Sequence, residues 1–193
     1  MEVLVAPSFS VTAHSLIMKL NSHRIGEIAC SWVVKEIQLH APDKTLSAEV
    51  NDLAEEKYCQ DYIDKSRRIS YRLDVPLKEY GMFLYQMFEA ANLKVKLHSP
   101  LGELDPDRLG EIAYLWVRDE LIRTALRIGS KKGKTGLPYK LRCAGSYLGR
   151  AEKTAGSLGV SLEEYLAFLT QTLKDIGLND CAKAIKQLVI NQT

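Results

Sequence analysis

Two glutamates stand where a carboxylate is expensive. At 100° per residue, Glu36 and Glu120 each fall near the middle of a helical apolar stripe rather than on its wet side. A carboxylate so placed must be paired, hydrogen-bonded or neutral, because an isolated buried charge is prohibitively costly. One reading is a paired-carboxylate site, with one Glu from each half of the chain, able to bind a divalent metal. No Glu-x-x-His motif accompanies it. The plainer reading is a buried polar staple at each helix end, already emerging from the core, with Tyr80 and Tyr165 as hydrogen-bond partners.

Other residue types with chemistry are scattered. Cys30, Cys59, Cys143 and Cys181 show no close spacing of the kind a zinc site needs, and His14, His23, His40 and His98 are equally dispersed. The sequence therefore calls for no metal and no cofactor, and buried thiols are the expectation. His14-Ser15 and His98-Ser99 are adjacent pairs, which on an extended chain point opposite ways, so they suit turns or caps better than a catalytic dyad. Gly129–Thr135 imitates a phosphate-binding loop but has three residues, not four, between its first glycine and Gly-Lys-Thr. Ala155–Gly159 imitates the turn of a helix-turn-helix, yet the next helix begins Leu162-Glu163-Glu164-Tyr165 and lacks the side chains that read a major groove.

Charge gives a stronger signal. Leu121–Lys153 carries nine basic residues, Arg123, Arg127, Lys131, Lys132, Lys134, Lys140, Arg142, Arg150 and Lys153, against the single acid Glu152. Tyr139 and Tyr147 lie among them. Such clustering suits a phosphate backbone, with an aromatic available to stack on a base. A solvated face and neutralisation of an acidic partner segment are the blander alternatives. The corresponding stretch of the first half, Ile37–Arg68, has five basic and seven acidic residues.

That correspondence comes from an internal repeat. Arg24–Glu36 recurs as Arg108–Glu120, with Arg, Gly, Glu, Ile, Ala, Trp, Val and Glu kept, 8 of 13 positions at an offset of 84. Val75–Leu93 recurs as Val160–Leu178, matching at 8 of 19 positions at an offset of 85. Same order and nearly the same offset indicate a tandem duplication. In the first block Ile25, Ile28, Ala29, Trp32, Val33 and Ile37 form one helical face, repeated by Leu109, Ile112, Ala113, Trp116, Val117 and Leu121. Both tryptophans are expected in the core. Asp105, Pro106 and Asp107 form a strong helix start. The second block is helical too, with a capping box at Ser161 and Glu164 and Pro76 opening its counterpart.

Residues kept in both copies sort by what they cost. Gly26 and Gly110 sit inside helices, where glycine costs about 1 kcal/mol relative to alanine. A cost accepted twice suggests that another helix backbone passes close by, at the seam between copies. Arg24 with Glu27 and Arg108 with Glu111 are surface ion pairs or a matched interface; Gln86 and Gln171, facing away from their apolar stripes, are candidates for the same interface.

The expected fold is all-α, mainly helical: a tandem duplication of a three- to four-helix bundle repeat about a pseudo-two-fold, with short extended connectors near Val11–Ala13 and Val95–Leu97. Residues 1–93 form the first repeat and 94–193 the second, which holds the basic segment. Between the blocks the sequence predicts one long or two short helices over Ser47–Arg68, and in the second copy a loop over Gly129–Pro138 and a helix over Tyr139–Thr154. At 193 residues, 46% hydrophobic and 26% charged, the composition is that of a soluble globular protein. No apolar run approaches the roughly 18–20 residues of a membrane span, no signal peptide is legible, and a cytoplasmic setting with no membrane partner follows. The net charge of +2 names no partner. The leading function is a non-enzymatic binding or adaptor protein whose basic second repeat contacts DNA, RNA or another polyanion. The alternative is a protein–protein interaction module in which the acidic and basic middle segments choose partners or drive self-association. An enzyme built on Glu36 and Glu120 ranks third.

Overall fold

The computed structural model describes residues 19–42, 48–93, 102–130 and 137–190. All regular structure among them is helical: α1 (Ser22–His40), α2 (Ala48–Leu73), α3 (Leu77–Ala90), α4 (Pro106–Ser130), α5 (Leu137–Leu158), α6 (Leu162–Asp175) and α7 (Asn179–Ile190). The chain divides into two compact units, Ser22–Asp119 and Glu120–Thr193 with Met1–Asn21. The expected connectors at Val11–Ala13 and Val95–Leu97, with both His-Ser pairs, lie outside the described residues.

In the unit Ser22–Asp119, α3 packs against both α1 and α2. The predicted stripes supply the core. Ile25, Ile28, Ala29, Val33 and Ile37 are buried from α1, Tyr80, Phe83, Leu84, Met87 and Phe88 from α3, and Ile112, Ala113, Trp116 and Val117 from α4. Trp32 departs from expectation. It is half-buried where its counterpart Trp116, at the same place in the stripe of α4, is buried. The middle segment of the first copy is one unbroken helix of 26 residues, α2. It is tied inward by aromatics: Tyr58 donates to the Ile37 carbonyl (3.0 Å), and the Tyr62 ring meets Phe88 edge-on at 5.7 Å.

α1 and α4 meet at their glycines. A Cβ on Gly26 would stand 2.9 Å from the Gly110 Cα, and one on Gly110 would stand 2.8 Å from the Gly26 Cα. Backbone touches backbone there, so the two helices reach a separation that no larger residue permits. This is the close passage that the repeated glycine predicted.

In the other unit α6 is the central helix, packed on α5 and α7. Its residues 165–170, 172 and 173 are all buried, so it is enclosed on most sides. Thr172 fits this setting by donating its hydroxyl to the Phe168 carbonyl (2.8 Å), one turn back. α5 contributes Ala144, Leu148, Ala151, Ala155 and Leu158 at alternating spacings of four and three, and the alanines admit close neighbours. It runs two residues earlier and four later than the predicted Tyr139–Thr154. Gly129 closes α4, and residues 131–136 of the predicted loop lie outside the described residues.

The helix ends follow local chemistry. Asp105 caps α4 by accepting from the Arg108 N–H (2.9 Å) ahead of Pro106. The predicted capping box forms at α6: Ser161 Oγ accepts from the Glu164 N–H (3.1 Å), and Glu164 Oε2 accepts from the Ser161 N–H (3.2 Å). Four helices end in the same way. The N–H groups of Val75, Leu93, Val160 and Leu178 donate to the carbonyls of Ser70, Phe88, Ala155 and Leu173, at 2.8–3.1 Å. In each case the residue before the donor is left-handed: Asp74 (φ 55°), Asn92 (φ 59°), Gly159 (φ 69°) and Gly177 (φ 80°).

The glycines give a test with opposite signs. Gly26→Ala or Gly110→Ala forces rigid backbone apart, so each is expected to destabilise by about 1–2 kcal/mol despite alanine's better helix propensity. Gly149→Ala, in α5 with nothing within 4 Å of the added Cβ, is expected to stabilise by about 0.5–1 kcal/mol. Urea denaturation of the three variants reads both outcomes.

Candidate functional site

The singled-out residues separate into a seam between α1 and α4 and a basic stretch running from the end of α4 into α5. At the seam, a cleft of about 780 Å³ opens beside the glycine crossing. Its lining falls into six pairs of residues 84 apart: Ser22 and Pro106, His23 and Asp107, Ile25 and Leu109, Gly26 and Gly110, Glu27 and Glu111, Cys30 and Tyr114. His23 Nδ1 lies 3.2 Å from Asp107 Oδ1, and its Nε2 lies 3.5 Å from Glu27 Oε1. Cys30 on the cleft wall is a poor nucleophile. Burial, reinforced by the nearby Glu27, pushes its thiol up to about 11. Burial does the same for Cys59, helped by Glu55.

Both repeated Arg–Glu pairs form within their helices. Arg24 bonds Glu27 within its own helix (2.8 Å). Arg108 bonds Glu111 (2.6 Å) and also crosses to α3, where its Nη2 lies 2.6 Å and its Nε 2.8 Å from Glu79 Oε2. The reason is local sequence. Glu79 occupies the third position of α3, as Glu164 does in α6, but Pro76 replaces the N-cap serine. Proline has no N–H to offer, so no capping box holds Glu79 and its carboxylate is released to Arg108. Gln86 is likewise used internally rather than on a partner face. Its Oε1 accepts from the Leu104 N–H (3.0 Å) and its Nε2 donates to the Leu104 carbonyl (3.4 Å), fixing the chain one residue before the cap of α4. Gln171 is half-buried on α6. Arg72 to Asp119 (2.8 Å) adds a further tie between α2 and α4.

Glu36 and Glu120 are half-buried rather than buried, with side chains 34% and 28% exposed. Each is occupied on its own helix. His40 Nδ1 lies 3.7 Å from Glu36 Oε2 and 2.9 Å from the Glu36 carbonyl. Glu120 takes Arg123 (2.5 Å) and the Thr124 hydroxyl (3.5 Å). Glu36 so emerges near the end of α1, as expected, whereas α4 continues ten residues past Glu120, which is therefore a mid-helix group. Tyr165 has a partner of its own. It is buried beside Thr154 of α5, and desolvation lifts its phenol to about 12 against the opposing effect of that hydrogen bond. Among the described residues, no three His, Cys, Asp or Glu side chains gather as a metal site would require.

Of the nine basic residues, Arg123 is half-buried on Glu120, whereas Arg150 and Lys153 are exposed on α5. Arg127, Lys140 and Arg142 lie in α4 and α5 with their side chains outside the description, and Lys131, Lys132 and Lys134 lie outside the described residues. α5 adds a feature that charge counting missed. Gly145, Gly149 and Gly156 are exposed at spacings of four and seven, hence within one arc of about 40°. The signal was present in the sequence as three helical glycines in register.

The two contacts of Arg108 should therefore differ in energetic weight. Arg108→Ala is expected to cost about 1 kcal/mol because it releases α3 from α4, and Glu111→Ala, which removes only the exposed partner within α4, no more than about 0.5 kcal/mol. Equal losses in chemical denaturation would contradict the cross-helix role. No protein family, curated protein or solved structure matches this chain.

Proposed function

We propose that the chain is a non-enzymatic binding protein whose basic segment, Leu121–Lys153, contacts nucleic acid or another polyanion. The observation that carries this is the outward face of α5. There Gly145, Gly149 and Gly156, where a Cβ would meet nothing within 4 Å, have the exposed Lys153 to one side and Glu152 to the other, with Arg150 exposed further round the helix. Each glycine costs the helix about 0.5–1 kcal/mol relative to alanine. Nothing among the described residues fills the bare backbone they leave, and a phosphodiester chain can approach it closely while lysine and arginine neutralise its charge.

We further infer a tandem duplication, with repeats at 1–93 and 94–193 related by a local pseudo-two-fold at the glycine crossing. The six equivalent pairs of the cleft support it, as do the helix ends. Val75, Leu93, Val160 and Leu178 make equivalent capping bonds, and Asp74 with Gly159, and Asn92 with Gly177, share one backbone conformation. The polyanion reading then rests on a difference between copies, since Gln60, Asp64 and Tyr71 stand where copy two has its glycines.

A second reading is self-association through opposite charge. Asp52, Glu56, Asp61 and Asp64 are exposed along α2, next to Leu53 at 68% exposure.

Binding of duplex and single-stranded DNA and RNA at ~50 mM salt separates the readings. The polyanion reading predicts affinity that falls steeply with salt. It also predicts that Arg150→Ala with Lys153→Ala lowers the slope of log K against log salt by about 2. Absence of binding, together with a mass by light scattering that falls as salt rises, would favour self-association.

A further inference from the structure

The last third of α2 carries a surface that its acidic average conceals. From Lys65 to Leu73 the sequence holds four cations, Lys65, Arg67, Arg68 and Arg72, and no acid. Lys65, Arg67 and Arg68 are exposed, while Arg72 is engaged with Asp119. Among them Tyr71 is 89% exposed, the most exposed large hydrophobic side chain of the described residues. Three and four residues separate it from Arg68 and Arg67, so both arginines are its immediate neighbours on the helix surface.

The helix dipole accounts for cations in a C-terminal turn. It gives no reason for the tyrosine. A phenol ring left almost wholly in water contributes nothing to the core, and its helix needs no aromatic there. The Tyr71 carbonyl already takes part in the turn, accepting from the Asp74 N–H at 3.3 Å, so the backbone at this point is fixed while the ring projects free of the packing. A flat apolar face flanked by two guanidinium groups is complementary to a base with its adjoining phosphates. Stacking uses the ring, and the arginines neutralise the backbone. A duplex, whose bases are already stacked, can use only the cations.

We propose that Tyr71, with Arg67 and Arg68, forms a stacking site for single-stranded nucleic acid. The ligand class is that of the preceding proposal, but the residues belong to a different helix and a different unit, and the ring selects single strands over duplex.

The test is fluorescence anisotropy with labelled oligo(dT) of about 15 nucleotides, alone and annealed to oligo(dA). It uses the full chain as wild type, Tyr71→Ala, Tyr71→Phe and the α5 double variant Arg150→Ala with Lys153→Ala. Tyr71→Ala is expected to weaken single-strand binding about five- to 150-fold, the equivalent of one lost stack. Tyr71→Phe should stay within about twofold, as should the duplex affinity of Tyr71→Ala, because neither change alters charge or removes a ring that duplex uses. Tyr71 is almost wholly exposed, so its variants should fold like wild type, which circular dichroism checks. Single-strand affinity unchanged by Tyr71→Ala, an equal loss for duplex, or no wild-type binding to the single strand would each overturn the proposal. If only the α5 variant abolishes binding, the preceding reading stands and this one falls. If only Tyr71→Ala does, the reverse holds.

Discussion

The unit Ser22–Asp119 depends on two glycines touching. With Gly26 and Gly110 in backbone contact, α1 and α4 run as close as helices can, and no side chain at either position could be accommodated without parting them. Close approach brings the stripes of both helices, Ile25 to Ile37 and Ile112 to Val117, within reach of the aromatic face of α3. It also sets His23 against Asp107 and opens the cleft beside the crossing. The polar ties then act on helices already in place. Arg108 to Glu79, Arg72 to Asp119 and Gln86 to Leu104 each hold the early part of α4 to a different neighbour. Part-exposed ion pairs of this kind are worth little singly, so the crossing supplies the geometry and the polar contacts refine it.

Where the two halves of the chain differ, the difference follows from single residues. Ser161 closes a capping box on Glu164, while Pro76 leaves Glu79 available to bridge α3 and α4. Asp74 adopts the same left-handed conformation as Gly159 without glycine's freedom, a modest strain that its capping hydrogen bonds offset. On the outward faces, α2 presents Tyr71 among arginines and α5 bare glycines. Packing residues are shared and surface residues are not.

Much of this was legible in the sequence. Helical periodicity located the core of α1, α3 and α4, and Asp105-Pro106 and Ser161-Glu164 marked helix starts within a residue. The repeated glycine announced a close helix contact because an interior glycine is costly unless something needs the space. Periodicity gives a residue's direction on its helix but not how far the neighbouring helices cover it. Trp32, Glu36 and Glu120 all point along their stripes, yet all three are half-buried. The partners of Gln86 and Arg108 lie 18 and 29 residues away, on elements whose relative placement no local pattern encodes. Averaging charge over Ile37–Arg68 hid the basic end of α2, because its acids precede its cations along one helix.

The central claim is that the glycine contact sets the spacing of α1 and α4, and a double-mutant cycle tests it most directly. If each alanine acts by forcing the same two backbones apart, the second substitution meets a gap already opened. Gly26→Ala with Gly110→Ala should then cost less than the sum of the single changes by about 0.5–2 kcal/mol in equilibrium unfolding. Additive costs, or a double variant as stable as wild type, would contradict it.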